Sequence, residues 1–103
     1  MNYEEMDMTY KIIYNLTAQK ELLDIQYYIT VILKEPKIAN KLIQKILKSI
    51  EILQLYPQLF QKIGKLKQIR RAVVKNYNIL YSFDKIRKKV FILHFNHNSK
   101  NIK

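Results

Sequence analysis

The side chains best suited to chemistry gather in the last third of the chain, and the reaction they suit is cleavage of an RNA backbone. That reaction needs a base for the 2′-OH proton, an acid for the leaving 5′ oxygen, and cations to stabilise charge on phosphorus. His97 is the natural proton carrier, with a reference pKa of about 6.5. Arg70, Arg71, Lys75 and Lys100 supply cations for the phosphate, and an arginine can grip it through two bonds. Tyr77 and Tyr81 are candidates to stack a base, at about 1–3 kcal/mol each. Against this, Tyr77, Ile79, Tyr81 and Phe83 alternate along one strand face, and such a row more often forms core. Tyr81 and Phe83 therefore read as core. Arg70 and Arg71 are successive strand residues and point to opposite faces, so only one of them can serve a given site. Strand parity alone does not say which.

Other chemistries find little support. His94 and His97 lie three apart on an expected strand and face opposite ways, with no carboxylate close to both, so no metal site is expected. Ser49, Ser82 and Ser99 carry no nucleophile-elbow pattern, and one glycine cannot build a glycine-rich phosphate loop. The absence of cysteine excludes disulfides and thiolate metal sites. No cofactor is expected.

Composition sets the frame for these residues. The chain has 103 residues, of which 49% are hydrophobic and 26% charged, the balance of one globular domain. No apolar run is long enough to span a membrane, and the first residues lack a signal peptide's basic and apolar regions, so a cytoplasmic protein is expected. The net charge is +11, and its placement is uneven. Residues 1–61 hold seven lysines against seven acids, whereas residues 62–103 hold twelve Lys and Arg against Asp84 alone. The whole excess thus falls in the strand-rich part, which suggests a polyanionic partner, either nucleic acid or an acidic protein.

The expected elements follow in order. Residues 1–8 read as a disordered extension, residues 9–97 as a single domain, and residues 98–103 as a polar tail; Met1 and Met8 are both plausible starts. Tyr10 to Leu16 alternates as a strand, and Thr17 suits a helix N-cap. Ala18, Leu22, Ile25, Ile29 and Ile32 form the apolar stripe of a helix running to about Leu33. Pro36 opens a second helix to about Leu55, with Ile38, Leu42, Ile46, Ile50 and Leu53 on one side. Lys37, Lys41, Lys45 and Lys48 lie on another side, and Pro57 follows the end. Gln61 to Gln68 reads as an exposed loop. Ile69–Val74 and Tyr77–Phe83 form a hairpin turning at Lys75-Asn76, where Asn76 is the residue suited to positive φ. Val90–Phe95 is a further strand. The expected fold is α+β in two layers, an antiparallel sheet on an antiparallel helical hairpin, in the order β-α-α-β-β-β.

With these residues in view, the chain resembles the RelE/ParE superfamily of toxins from bacterial type II toxin–antitoxin systems, and its ParE-like branch more closely. The similarity runs from Thr9 to Lys100. It is carried by Tyr10-Lys11-Ile12-Ile13-Tyr14 with Thr17-Ala18, by Glu21–Ile25 with Tyr28-Ile29, and by Pro36 through Tyr56-Pro57. Its best stretch is Arg70–Tyr81, followed by Val90–Leu93. The resemblance implies a toxin that arrests growth and an antitoxin partner that wraps it. It implies one of two targets: RelE-like members cut mRNA on the ribosome, and ParE-like members poison DNA gyrase.

The departures from the family pattern bear on that choice. Many members end the last strand with a His-Gly-Arg-Arg-like segment; here it reads His97-Asn98-Ser99-Lys100, so the last arginine is a lysine and cannot bind bidentately. RelE-like nucleases carry an arginine four residues before the tyrosine of the second hairpin strand, and that position here is Val73. A ParE-like gyrase inhibitor is therefore the expected activity, and a metal-independent mRNA endoribonuclease is the alternative. If the chain is a nuclease, His97, Lys100 and Arg71 are its catalytic candidates. Arg70, Arg71, Lys75, Tyr77 and Lys100 are candidates for nucleic-acid or partner binding.

Overall fold

The computed structural model describes residues 9–64 and 68–98. The expected extension 1–8, and the tail apart from Asn98, lie outside the described residues.

The first strand, β1 (Lys11–Tyr14), is shorter than its alternating pattern suggested. Tyr10 leaves the sheet because its N–H goes to the Gln54 carbonyl at 2.8 Å. At the other end the chain turns into α1 (Leu16–Tyr27), capped by Asn15, whose side-chain oxygen accepts from Ala18 N at 2.7 Å. The cap is Asn15 and not Thr17 because the helix begins two residues earlier than expected, and asparagine caps as well as any residue.

Ala18 and Ile29 are buried on the α1 side of the core, with Leu22 and Ile25 packed against them. The helix then widens into a π-helical turn, Tyr28–Ile32, in which Leu33 N–H reaches the Tyr28 carbonyl at 2.9 Å. The wider turn changes the angular step per residue. Ile32, expected on the stripe, is 55% exposed as a result. Lys34 closes the element with a left-handed φ of 56°. The short connection then delivers α2 (Pro36–Leu55) as its neighbour. Ala39, Leu42, Ile46, Ile50 and Leu53 are buried in the core, whereas Ile38 lines an open cleft.

The sheet has five strands in the order β1-β5-β4-β3-β2. The segment expected to be a loop contains β2 (Lys62–Ile63), which pairs antiparallel with β3 (Ile69–Val74). The next strands, β4 (Tyr77–Asp84) and β5 (Lys89–His97), continue the antiparallel ladder. β1 returns along β5 in parallel, with Ile12 opposite Val90. The β3–β4 turn is Lys75-Asn76, as expected, but the positive φ of 56° belongs to Lys75. Asn76 is held differently: its carbonyl accepts Asn98 N–H at 2.6 Å.

β5 carries one extra residue. Leu80 pairs with His94 and Tyr81 with Ile92, so Leu93 bulges out. Beyond Ile92, β1 no longer covers the β5 edge. Glu21 of α1 does so instead, accepting Phe95 N–H at 3.0 Å and lying 3.2 Å from His94 Nδ1. A carboxylate thus blunts an otherwise open strand edge.

Tyr81 and Arg70 tie the sheet to the segment after α2. Tyr81 is fully buried and its hydroxyl donates to the Pro57 carbonyl at 2.6 Å. Burial pushes the Tyr81 phenol up to about 12, partly opposed by Arg70 and by a backbone bond from Phe60. Arg70 donates to the Gln58 and Phe60 carbonyls at 3.1 and 2.5 Å, and its guanidinium lies 5.4 Å from the Phe83 ring centroid. Phe83 meets Tyr10 edge-on, and the Lys88 ammonium sits 4.8 Å from the Tyr10 ring centroid. A cation thus lies against each ring of this aromatic pair.

Unfolding in urea should show Tyr81→Phe destabilised by about 1–3 kcal/mol, because a buried carbonyl loses its donor. The phenol is protonated more tightly when folded, so wild-type stability from this group is present below pH 10 and falls as pH rises towards about 12. Tyr81→Phe should flatten that alkaline decline. Arg70→Ala should cost about 1–3 kcal/mol, while Arg71→Ala, an exposed change, should stay within about 0.5 kcal/mol.

Candidate functional site

The candidate residues distribute according to strand parity. Ala72, Val74, Ile79, Tyr81 and Phe95 face the helices, as their burial in the common core shows. Tyr77 and His97 extend this same face, because they pair across β4 and β5 and their rings meet edge-on at 5.0 Å. Arg71 and Val73 alternate with buried Ala72 and Val74 and are exposed on the opposite face. Arg71 stands opposite Leu80, and Val73 opposite Asn78. Asn78 is buried there, donating to Asn96 Oδ1 at 3.3 Å while its own Oδ1 has no partner.

The expected cluster is therefore divided. Arg70, a candidate for phosphate or partner contact, is engaged by two backbone carbonyls and the Phe83 ring. It faces the helices because its register partner is Tyr81. Arg71 is accessible but lies across the sheet from His97. Lys100 falls outside the described residues.

Lys75, Tyr77 and His97 do come together. They line a cleft of about 660 Å³ between the helical hairpin and the β3–β4 turn. Here the structure adds residues that sequence reasoning did not connect to the site: Tyr28 from the π-helical turn, and Lys41 and Lys45 from α2. The lysines belong to the basic stripe of α2, so their common side was visible. Their approach to Lys75 required the tertiary fold. Lys75 holds the Lys45 ammonium below its usual range, first by charge repulsion and then by direct contact, with desolvation and Lys41 adding to it. Burial raises the Tyr77 phenol, and the nearby Tyr28 raises it further. Glu35 lines the same cleft.

The cleft can attract an anion and present rings to it. No arginine joins His97 among the described residues lining it, so any phosphate contact there falls to lysines, which do not bind bidentately. Among the described residues no three His, Asp or Glu side chains converge as a metal cluster. No helix among them is long and apolar enough to cross a membrane.

Comparison with known proteins places this arrangement in a family. A family profile described as the ParE toxin of the type II toxin–antitoxin system, parDE, matches residues 12–102. Among solved structures, a chain of the chromosomal ParDE toxin–antitoxin system from P. aeruginosa superposes with a TM-score of 0.67 at 18% identity. That match covers 87% of this chain and 97% of the other. A chain of the toxin–antitoxin complex RelBE2 from Mycobacterium tuberculosis gives a TM-score of 0.63 at 19% identity, covering 86% of this chain and 98% of that one. No curated protein sequence matches. The profile runs from Ile12 in β1 past the end of β5 and takes in every described residue of the cleft, and on that basis this chain belongs to the ParE toxin family of type II toxin–antitoxin systems.

Proposed function

We propose that this chain arrests bacterial growth in the cytoplasm by blocking DNA gyrase through binding, without a bond-breaking step of its own. One observation carries this reading: Arg71 and His97 lie on opposite faces of the sheet, so they cannot act together on one phosphate. Two further features support it. Arg70 is engaged in packing, and Val73 occupies the position where RelE-like nucleases have an arginine. The family match favours the ParE-like branch over the RelE-like one.

A cognate antitoxin is the proposed partner, since both structural relatives come from toxin–antitoxin pairs. The outer side of α1 and the π-helical turn leaves Leu23, Tyr27 and Val31 exposed, an apolar strip suited to a partner helix. The net charge of +11 favours an acidic partner segment and fast, salt-dependent capture.

The endoribonuclease reading retains one favourable observation, the Tyr77–His97 ring pair beside Lys75. The two readings separate cleanly in the test tube. Purified chain added to gyrase and plasmid should inhibit supercoiling or trap cleavage complexes, and induction in cells should raise the SOS response. In a translating extract the same chain should leave mRNA intact. Cleaved message with unimpaired gyrase would overturn the proposal, and loss of that cleavage in His97→Ala plus Lys100→Ala would assign it to those residues.

For the partner, the neighbouring gene product should co-purify with the chain, and its affinity should fall as salt rises. Affinity that does not change with salt would refute the electrostatic part.

A further inference from the structure

We propose that the cleft between the helical hairpin and the β3–β4 turn binds a nucleoside polyphosphate, with Lys41, Lys45 and Lys75 on the phosphates and Tyr28 and Tyr77 against the nucleoside. The cations come from two elements. Lys41 and Lys45 are one helical turn apart on α2, and Lys75 is set at the tip of the β3–β4 turn by its left-handed backbone. All three line the cleft, and none forms an ion pair with a carboxylate among the described residues. Lys75 stands close enough to Lys45 to depress the charging of its ammonium. Like charges held together without a counter-ion destabilise the folded state, and a bound anion relieves that repulsion.

The cleft also has the shape and wall for more than an inorganic ion. Its volume of about 660 Å³ falls within the range of small-molecule sites. The floor includes Ile29 and Leu42, both buried, while Tyr28 is 51% exposed and Tyr77 half-buried beside it. A flat base can lie against such rings. Glu35 at the same cleft offers an acceptor for a ribose hydroxyl or a base amino group, and disfavours phosphate at its end. A polyphosphate concentrates its charge in one short chain, which suits three ammonium groups converging from two elements. An acidic peptide spreads its carboxylates along a backbone and leaves the tyrosine wall without a flat partner.

The test is calorimetric titration of the purified full-length chain near physiological salt with ATP, adenosine, inorganic tripolyphosphate and a single-stranded oligothymidylate. Each variant is first checked for an unchanged melting curve. ATP should bind one to one, and more tightly than adenosine or tripolyphosphate. Lys45→Ala plus Lys75→Ala should weaken ATP binding at least about tenfold. Lys85→Ala plus Arg87→Ala, an equal charge change on the exposed β4–β5 turn, should alter it by less than about twofold. Absent ATP binding, equal losses in the two double variants, or tripolyphosphate binding as tightly as ATP would overturn the assignment. So would an oligothymidylate that outcompetes ATP, which would mark the cleft as a nucleic-acid channel. The readout is binding by the isolated chain, so its failure leaves the gyrase proposal standing, and the reverse also holds.

Discussion

The period of two along β4 is the constraint on which the rest depends. β4 is the middle strand, paired on one side with β3 and on the other with β5, so its alternation fixes both neighbours. Tyr81 anchors the phase. Its ring cannot leave the core without exposing a large apolar surface, and its hydroxyl cannot leave the Pro57 carbonyl without orphaning a buried acceptor. Once Tyr81 faces the helices, so do Arg70, Ile79 and Tyr77. Arg71 and Val73 are then committed to the open face. The Leu93 bulge restores the same phase along β5, bringing Phe95 and His97 to the helix side.

That constraint divides the basic residues into groups with different work. Arg70 binds the chain that follows α2 back onto the sheet. Arg71 is free on the open face, opposite Leu80. Lys75 joins Lys41 and Lys45 around the cleft. Among the described residues, the basic side chains of the C-terminal third are therefore distributed over both sides of the sheet. The consequence for function is direct: phosphate attraction is available in the cleft, whereas among the described residues no bidentate arginine stands beside His97 there.

Much of this was legible in the sequence because it depends on local periodicity. Pro36 to Leu55 reads as an amphipathic helix, and the structure has that helix with the same bounds. The Lys75-Asn76 turn, the burial of Tyr81 and the opposed directions of Arg70 and Arg71 also follow from pattern. The rest required three dimensions. The π-helical turn at Tyr28–Ile32 leaves no apolar signature, and it moved Ile32 to the surface and Tyr28 to the cleft. β2 is only two residues long and forms because β3 offers it an edge. The pairing of β1 with β5 joins segments from opposite ends of the chain. Lys45 and Lys75 are brought together by the packing of α2 against β3.

The central claim is that the sheet's alternation puts His97 with Tyr77 and apart from Arg71. It is tested most directly by nuclear Overhauser contacts in the labelled chain. Cross-peaks are expected between the Tyr77 and His97 ring protons, whose centroids are 5.0 Å apart, with none between His97 and the Arg71 side chain. Contacts from His97 to Arg71, or a Tyr77 ring without contact to His97, would contradict the account.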